Sequence, residues 1–109
     1  MGDHLILSKS DYQREVGLRL RRLIDACGMK YVKAAELMGV PKNQLGNWMR
    51  GNHGFPDHYA LYRFCRIAGV NTDWVYLGDP SGLPQRVTEA LLRQEPELAR
   101  HAAAETQAA

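Results

Sequence analysis

The segment GVPKNQLGNWMRG, residues 39–51, carries the polar side chains that are best placed for chemistry in this chain. No Asp or Glu occurs between Glu36 and Asp57, whereas Lys, Asn, Gln and Arg are frequent there. Each of these polar side chains offers a hydrogen-bond donor, and none of them repels a phosphate group. The segment therefore indicates a partner that is rich in acceptors and in negative charge.

Helical spacing divides this segment into an apolar face and a polar face. Leu45, Trp48 and Met49 stand at i, i+3 and i+4, which predicts one buried face. The opposite face carries Asn43, Gly46, Asn47 and Arg50, with Lys42 and Gln44 at its N-terminal flanks. Such a helix fits the major groove of B-DNA, where Asn or Gln pairs with adenine and Lys or Arg donates to guanine. An ordinary solvated helix face is the alternative that composition leaves open.

The elements that must position this helix are also helical, because no stretch alternates as a β-strand does. The spacing of Ser10 and Gln13 predicts a capping box at the start of the first helix, and Gly28 predicts its end. The predicted buried stripe of this helix is Val16, Leu20, Leu23, Ile24 and Cys27. A second helix over residues 31–38 would bury Val32, Ala35 and Met38, and Pro41 fits the N-terminal edge of the third, residues 42–50.

Three further helices follow in the predicted order. The fourth opens at Pro56 and Asp57, with Tyr59 or Ala60 pointing inward. The fifth is capped by Asn71 or Thr72 and ends at Gly78, and the sixth starts at Pro84 with Val87, Ala90 and Leu91 on one side; Pro96 interrupts or restarts it. Residues 101–109 contain no bulky apolar side chain, so we expect disorder there.

Length and charge limit the classes of protein to which this chain can belong. Its 109 residues suggest one domain that can bury a core without a disulfide or a metal, so we expect Cys27 and Cys65 to be buried thiols. Residues 1–78 carry 11 Lys and Arg against 7 Asp and Glu, whereas residues 79–109 carry 3 against 5. The basic part permits a polyanionic partner. No apolar stretch has the length of a membrane span, so we expect a cytoplasmic protein that does not bind membranes.

Residues 31–51, YVKAAELMGVPKNQLGNWMRG, resemble the helix-turn-helix of the XRE family, the lambda-repressor-like class. The matching positions are the small Ala35, the turn residue Gly39, the aliphatic Leu45, the large apolar Trp48 and the terminal Gly51. The resemblance continues through FPDHYALYRFCRIAGVNTDWVYLGD and covers roughly residues 16–79. Two positions depart from the family pattern. Pro41 replaces the usual Ser or Thr, and Gly46 lies inside the third helix at a cost of about 1 kcal/mol relative to Ala.

This resemblance implies an all-α, five-helix lambda-repressor-like helix-turn-helix domain, followed by a short C-terminal helix and a tail. We expect an N-terminal segment over residues 1–9, the DNA-binding domain over 10–79, and the C-terminal helix and flexible tail over 80–109. The family's outward positions imply DNA base contacts from Lys42, Asn43, Gln44 and Asn47. Residues that flank the motif are the expected DNA phosphate contacts: Arg19, Lys30, Tyr31, Lys33, Arg50 and His53.

The function that the resemblance implies is that of a sequence-specific, double-stranded DNA-binding transcription regulator, more often a repressor, of bacterial or phage type. Such proteins mostly bind inverted repeats as homodimers. The sixth helix, with Val87, Leu91 and Leu98, would make the dimer contact or would pack on its own domain. A DNA-binding antitoxin of a toxin–antitoxin pair is an alternative. An enzyme is not predicted, because no catalytic set is recognisable, and neither a metal nor a cofactor is expected.

Overall fold

A computed structural model describes residues 6–94, and within this range the chain forms helices and no strand. The helices are α1 (Lys9–Ala26), α2 (Tyr31–Met38), α3 (Lys42–Arg50), α4 (His58–Ala68), α5 (Asp73–Leu77) and α6, described over residues 85–94. The prediction of an all-α fold, with five helices and then a C-terminal helix, is confirmed. The predictions for Pro96, Leu98 and residues 101–109 lie outside the described residues.

The first helix begins two residues before its predicted start. Ser8, and not Ser10, is the N-cap residue, because the Ser8 hydroxyl oxygen accepts a hydrogen bond of 3.2 Å from the Asp11 N–H. Ser10 lies within the first turn, so the predicted capping box of Ser10 and Gln13 is wrong. The physical reason is that Ser8 and Asp11 have the same spacing one half-turn earlier, and Ser8 has the extended backbone that an N-cap requires.

One hydrophobic core joins the six helices. Trp48 and Trp74 belong to it, with 5% and 8% of their surface exposed. The largest fully buried side chains are Leu20, Leu23, Ile24, Leu45, Leu61 and Phe64. Trp74 also donates from Nε1 to the carbonyl oxygen of Arg19 at 3.1 Å, which satisfies the indole N–H inside the core.

The inner face of α2 differs from its prediction by part of a turn. Val32 is 57% exposed, whereas Ala34, Ala35 and Met38 are buried. The expectation that Val32 points inward is therefore wrong. Since α2 packs against both α3 and α4, its buried stripe is centred between these two neighbours, and small alanines let both approach. On α4 the choice left open by the sequence is resolved, because Ala60 is buried and Tyr59 is exposed.

The turn between α2 and α3 is fixed by backbone hydrogen bonds. Gly39 ends α2 with φ of 76°, its N–H donates to Glu36, and the Val40 N–H donates to Ala35 at 3.1 Å. This is the Schellman arrangement, which favours glycine at the left-handed position. Pro41 then caps α3 through its carbonyl oxygen, which accepts from the backbone N–H of Gln44 and Leu45. Pro41 thus precedes the helix by one residue.

A close backbone contact places α3 against α1. A Cβ atom added to Gly17 would lie 2.9 Å from the Met49 carbonyl oxygen and closer still to that of Trp48. On the other side of the contact, a Cβ added to Gly51 would lie 2.7 Å from the Cα of Arg14. Both distances are shorter than real side chains tolerate, so glycine is needed at both positions for the two backbones to approach this closely.

The apolar side of α6 closes the core from the same chain. Val87 is fully buried and Leu91 is 4% exposed. Gln94 donates to the carbonyl oxygen of Arg22 at 3.1 Å and so holds α6 near α1. The described part of α6 therefore packs on its own domain through these two residues, and a dimer contact would have to use other side chains, such as the exposed Leu92.

The two cysteines are free thiols within this fold. Cys65 is buried and Cys27 is half-buried. Burial, together with the neighbouring Cys27, raises the pKa of Cys65 to about 11, so that thiol stays protonated at neutral pH. A neutral, buried thiol is a poor nucleophile.

We predict that Gly17→Ala destabilises the protein even though alanine favours a helix. The added methyl group meets backbone atoms of α3 that cannot move independently, and overpacking of this kind costs about 1–3 kcal/mol. Urea denaturation followed by circular dichroism measures the change in the free energy of unfolding. Leu18→Ala, at the adjacent exposed position, is the control. Equal stability of Gly17→Ala and the unmodified chain would contradict the close contact.

Trp48→Ala is expected to lower the free energy of unfolding by about 3–5 kcal/mol, because it leaves a cavity in the hydrophobic core. The matched control is Tyr62→Ala, which truncates a large aromatic side chain that is 55% exposed, with an expected change below about 1 kcal/mol. The same denaturation experiment measures both variants. A Trp48→Ala protein as stable as the control would mean that the faces of α3 are assigned the wrong way round.

Candidate nucleic-acid interface

The side chains of α3 divide between the core and the surface as its spacing predicts. Leu45 is fully buried, Trp48 is almost so, and Met49 is half-buried. The predicted base-contact residues lie outside the core: Lys42, Asn43 and Gln44 are exposed, and Asn47 is half-exposed. A rigid apolar side therefore holds a row of donors and acceptors at the surface.

The two ends of α3 differ in their polar partners. At the start, Pro41 provides no side-chain cap, and the helix dipole gives this end a partial positive charge. At the other end, Arg50 donates to the side-chain oxygen of Asn47, one turn earlier. This bond fixes the amide of Asn47 while leaving its NH₂ group able to donate. The face consequently has an exposed cation, Lys42, at its start and an amide that Arg50 orients, Asn47, near its end.

A surface cleft of about 330 Å³ runs along the side of α3 that faces α1 and α2. Its lining residues are Arg21, Tyr31, Lys42, Gly46, Met49 and Arg50. The cleft thus brings together Tyr31 and Arg50, two of the predicted phosphate contacts, and Lys42, a predicted base contact. It also contains Arg21, which the sequence analysis did not select. Arg21 lies four residues after Gly17 and hence on the same side of α1, a spacing that could have identified it once Gly17 was known to face α3.

Tyr31 connects this cleft with the one acidic side chain beside it. Its hydroxyl donates to the Asp25 carboxylate at 2.8 Å. Partial burial and this hydrogen bond raise the pKa of Tyr31, and the cation of Arg21 opposes them. The phenol therefore stays protonated at neutral pH. A neighbouring cleft, lined by Lys30, Tyr31 and Lys42 among others, extends the same surface along the start of α2.

The remaining predicted phosphate contacts are distributed over three places. Lys33 is exposed on α2, and His53 is exposed in the loop that follows α3. Arg19 points elsewhere: its guanidinium group forms an ion pair with Glu15 at 3.1 Å and donates to the carbonyl oxygens of Val75 and Tyr76. These contacts tie α1 to α5, and Arg19 does not line the cleft beside α3. The structure therefore does not bring Arg19 together with the other candidates.

A family model described as a helix-turn-helix domain matches residues 15–74, from α1 into α5. The chain belongs to the helix-turn-helix domain family. In domains of this kind the second helix of the motif is the recognition helix that binds DNA, and α3 stands at that position of the motif. Neither a curated protein nor a solved structure matches the chain.

Two further properties of this helix-turn-helix protein concern its described residues, 6–94. None of their helices has the length and apolarity needed to cross a membrane. No cluster of three or more His, Cys, Asp or Glu side chains that could hold a metal ion occurs among them.

Proposed function

We propose that this helix-turn-helix protein is a sequence-specific regulator of transcription of the XRE type that reads double-stranded DNA with α3. The observation that carries the proposal is the outward face of α3, which presents Lys42, Asn43, Gln44 and Asn47 without a carboxylate among them. Between residues 37 and 56 no acidic residue opposes the phosphates of a duplex. A negatively charged side chain on this face would repel the phosphates that line both edges of the groove.

In the proposed complex the first half of α3 lies in the major groove. Asn43 and Gln44 are exposed and can each pair with one adenine through two hydrogen bonds, and Lys42 can donate to guanine. Asn47 reaches the same groove with the orientation that Arg50 gives it. Lys30 at the N-cap of α2, Lys33 on α2 and His53 after α3 would contact phosphates on either side and fix the position of the helix without reading bases.

The protein would act as a homodimer on an inverted-repeat operator, with half-sites about one helical turn apart. A domain of this size contacts too few base pairs to find one site in a genome, and a symmetric dimer doubles the number that it reads. Bound at a promoter, such a dimer would exclude polymerase, so repression is the proposed outcome. Many small regulators control their own promoters. The DNA upstream of this protein's own gene is therefore the first duplex to test by footprinting.

A DNA-binding antitoxin remains the second candidate function, and the exposed face of α4 favours it. Tyr59 and Tyr62 stack with ring centroids 6.1 Å apart, both are more than half exposed, and Ile67 lies further along the same helix at 57% exposure. Arg66 adds a positive charge. Aromatic and arginine side chains are enriched in protein interfaces. An acidic surface of a toxin would complement this face.

The antitoxin candidate has a direct test with the product of the adjacent gene. If that product arrests growth and co-expression of this chain restores it, Tyr62→Asp should abolish the rescue while leaving DNA affinity unchanged. The substitution places a carboxylate on the exposed face of α4, where it would repel an acidic surface of the toxin. A neighbouring gene product without toxicity excludes this candidate and leaves the regulator proposal intact.

For the regulator, base contacts and phosphate contacts should respond differently to alanine substitution. Asn43→Ala is expected to cost about 1–3 kcal/mol on the preferred sequence and to relax preference at one base pair. Lys30→Ala should weaken binding to all sequences alike. It should also reduce the slope of the logarithm of affinity against the logarithm of salt concentration by about one. Fluorescence anisotropy on a panel of duplexes, at several salt concentrations, measures both effects.

Lys30 is the better phosphate variant for this comparison than Arg50. Since Arg50 donates to Asn47, its removal would also release a base-contact amide and mix the two effects. Asn43→Ala and Lys30→Ala should each retain the stability of the unmodified chain, because both side chains are exposed. If both variants lose the same factor on every duplex, α3 does not read bases.

A further inference from the structure

One glycine of α3 is not required by the packing of the described residues. Gly46 is helical and does not have a positive φ. A Cβ atom added to Gly46 would meet only the end of the Arg50 side chain, at an ordinary distance of 3.5 Å. Gly17, the other glycine inside a described helix, is different, because any side chain there would strike the backbone of α3. The packing of the described residues therefore gives no reason for glycine at position 46.

The position of Gly46 indicates a reason. It lines the cleft beside α3, together with the cationic side chains of Arg21, Lys42 and Arg50. Asp25 stands next to Tyr31 at the edge, so the nearby side chains sum to a net positive charge. Three cations from two different helices line this cleft with a residue that has no side chain, and a small anion with several acceptor oxygens is the kind of group that can accept from more than one of them.

We propose that this cleft is a phosphate-binding site in which Arg21, Lys42 and Arg50 hold the phosphate, and that Gly46 lacks a side chain so that the phosphate can reach the surface of α3. The inference rests on the proposed function for the source of the group, a phosphodiester of the DNA backbone. It replaces the guanine contact proposed above for Lys42 with a contact to the backbone, and it adds Arg21 of α1 to the DNA contacts. The phosphate then bridges α1 and α3 and fixes the angle at which the recognition helix enters the groove.

Uncharged analogues of single phosphates in the DNA backbone test this phosphate-binding site directly. A duplex selected from a random library by the full chain is prepared with one methylphosphonate at a time, which removes the charge of a single phosphate. For the unmodified protein, we expect one or two linkages in each half-site at which affinity falls about tenfold. Arg21→Ala should lose clearly less affinity than the unmodified protein at one of them, because one of the three cations that hold this phosphate is already absent.

Arg66→Ala is the matched control for charge, since Arg66 is an exposed arginine that does not line the cleft. It should keep the full loss at every linkage to which the unmodified protein is sensitive. If Arg21→Ala also shows the full loss of affinity at every such linkage, the phosphate-binding site is disproved, although DNA binding by α3 stands.

Gly46→Ala separates folding from binding in the same experiment. Alanine fits the helix and favours it, so the melting temperature should rise by about 4–8 °C. DNA affinity should nevertheless fall by about tenfold or more, because the methyl group would occupy the space that a phosphate oxygen fills in the proposed complex. A stabilised variant with unchanged DNA affinity would overturn the role of Gly46.

Failure of the proposed function itself gives a different result. If the full chain binds no duplex at low salt, inorganic phosphate and adenosine monophosphate are titrated separately and followed by the amide NMR signals of Tyr31 and Gly46. Saturable shifts that Arg21→Ala abolishes would show that the cleft takes a free phosphate compound in place of a DNA phosphate. Absence of such shifts with both compounds would overturn the phosphate-binding site altogether.

Discussion

The approach of two helix backbones at Gly17 and Gly51 determines how the recognition helix is presented. With no Cβ atoms in the way, α1 lies directly against the C-terminal half of α3, whose Leu45 and Trp48 side chains are buried in the core. Packing at this density leaves α3 few alternative positions. Everything on its outer side, from Lys42 to Arg50, inherits its direction from that contact. The chemistry of the surface therefore depends on an interaction that involves no polar side chain.

The second determinant is the distribution of charge around α3. The chain as a whole carries a formal charge of only +2, yet its acidic residues are absent from positions 37–56 and frequent after residue 79. Where a carboxylate does approach the surface, at Asp25, the hydroxyl of Tyr31 donates to it. Attraction to a polyanion at short range depends on this local pattern much more than on net charge, because salt screens charges that are more than about 8–10 Å apart.

Arginines of similar sequence position have different functions in this structure. Arg19 and Arg21 are two residues apart on α1, and helical geometry sends them to different sides. Arg19 holds the backbone of α5, whereas Arg21 lines the cleft beside α3. The sequence pattern supported Arg19 as a phosphate contact and did not reveal Arg21. Charge and proximity in sequence did not distinguish the two, since the distinction depends on which neighbour each side of α1 faces.

Sequence alone determined the helical fold, the extent of α3 and the inward positions of Leu45 and Trp48, because local periodicity and turn residues encode these features directly. It also determined that the polar face of α3 lacks acidic residues. Tertiary packing decided what local patterns do not contain: Ser8 as the helix cap, Val32 at the surface, Ala34 in the core and Arg21 beside Gly46. An exposed side and a buried side have the same periodicity on a short helix, and only the neighbouring helices establish which is which.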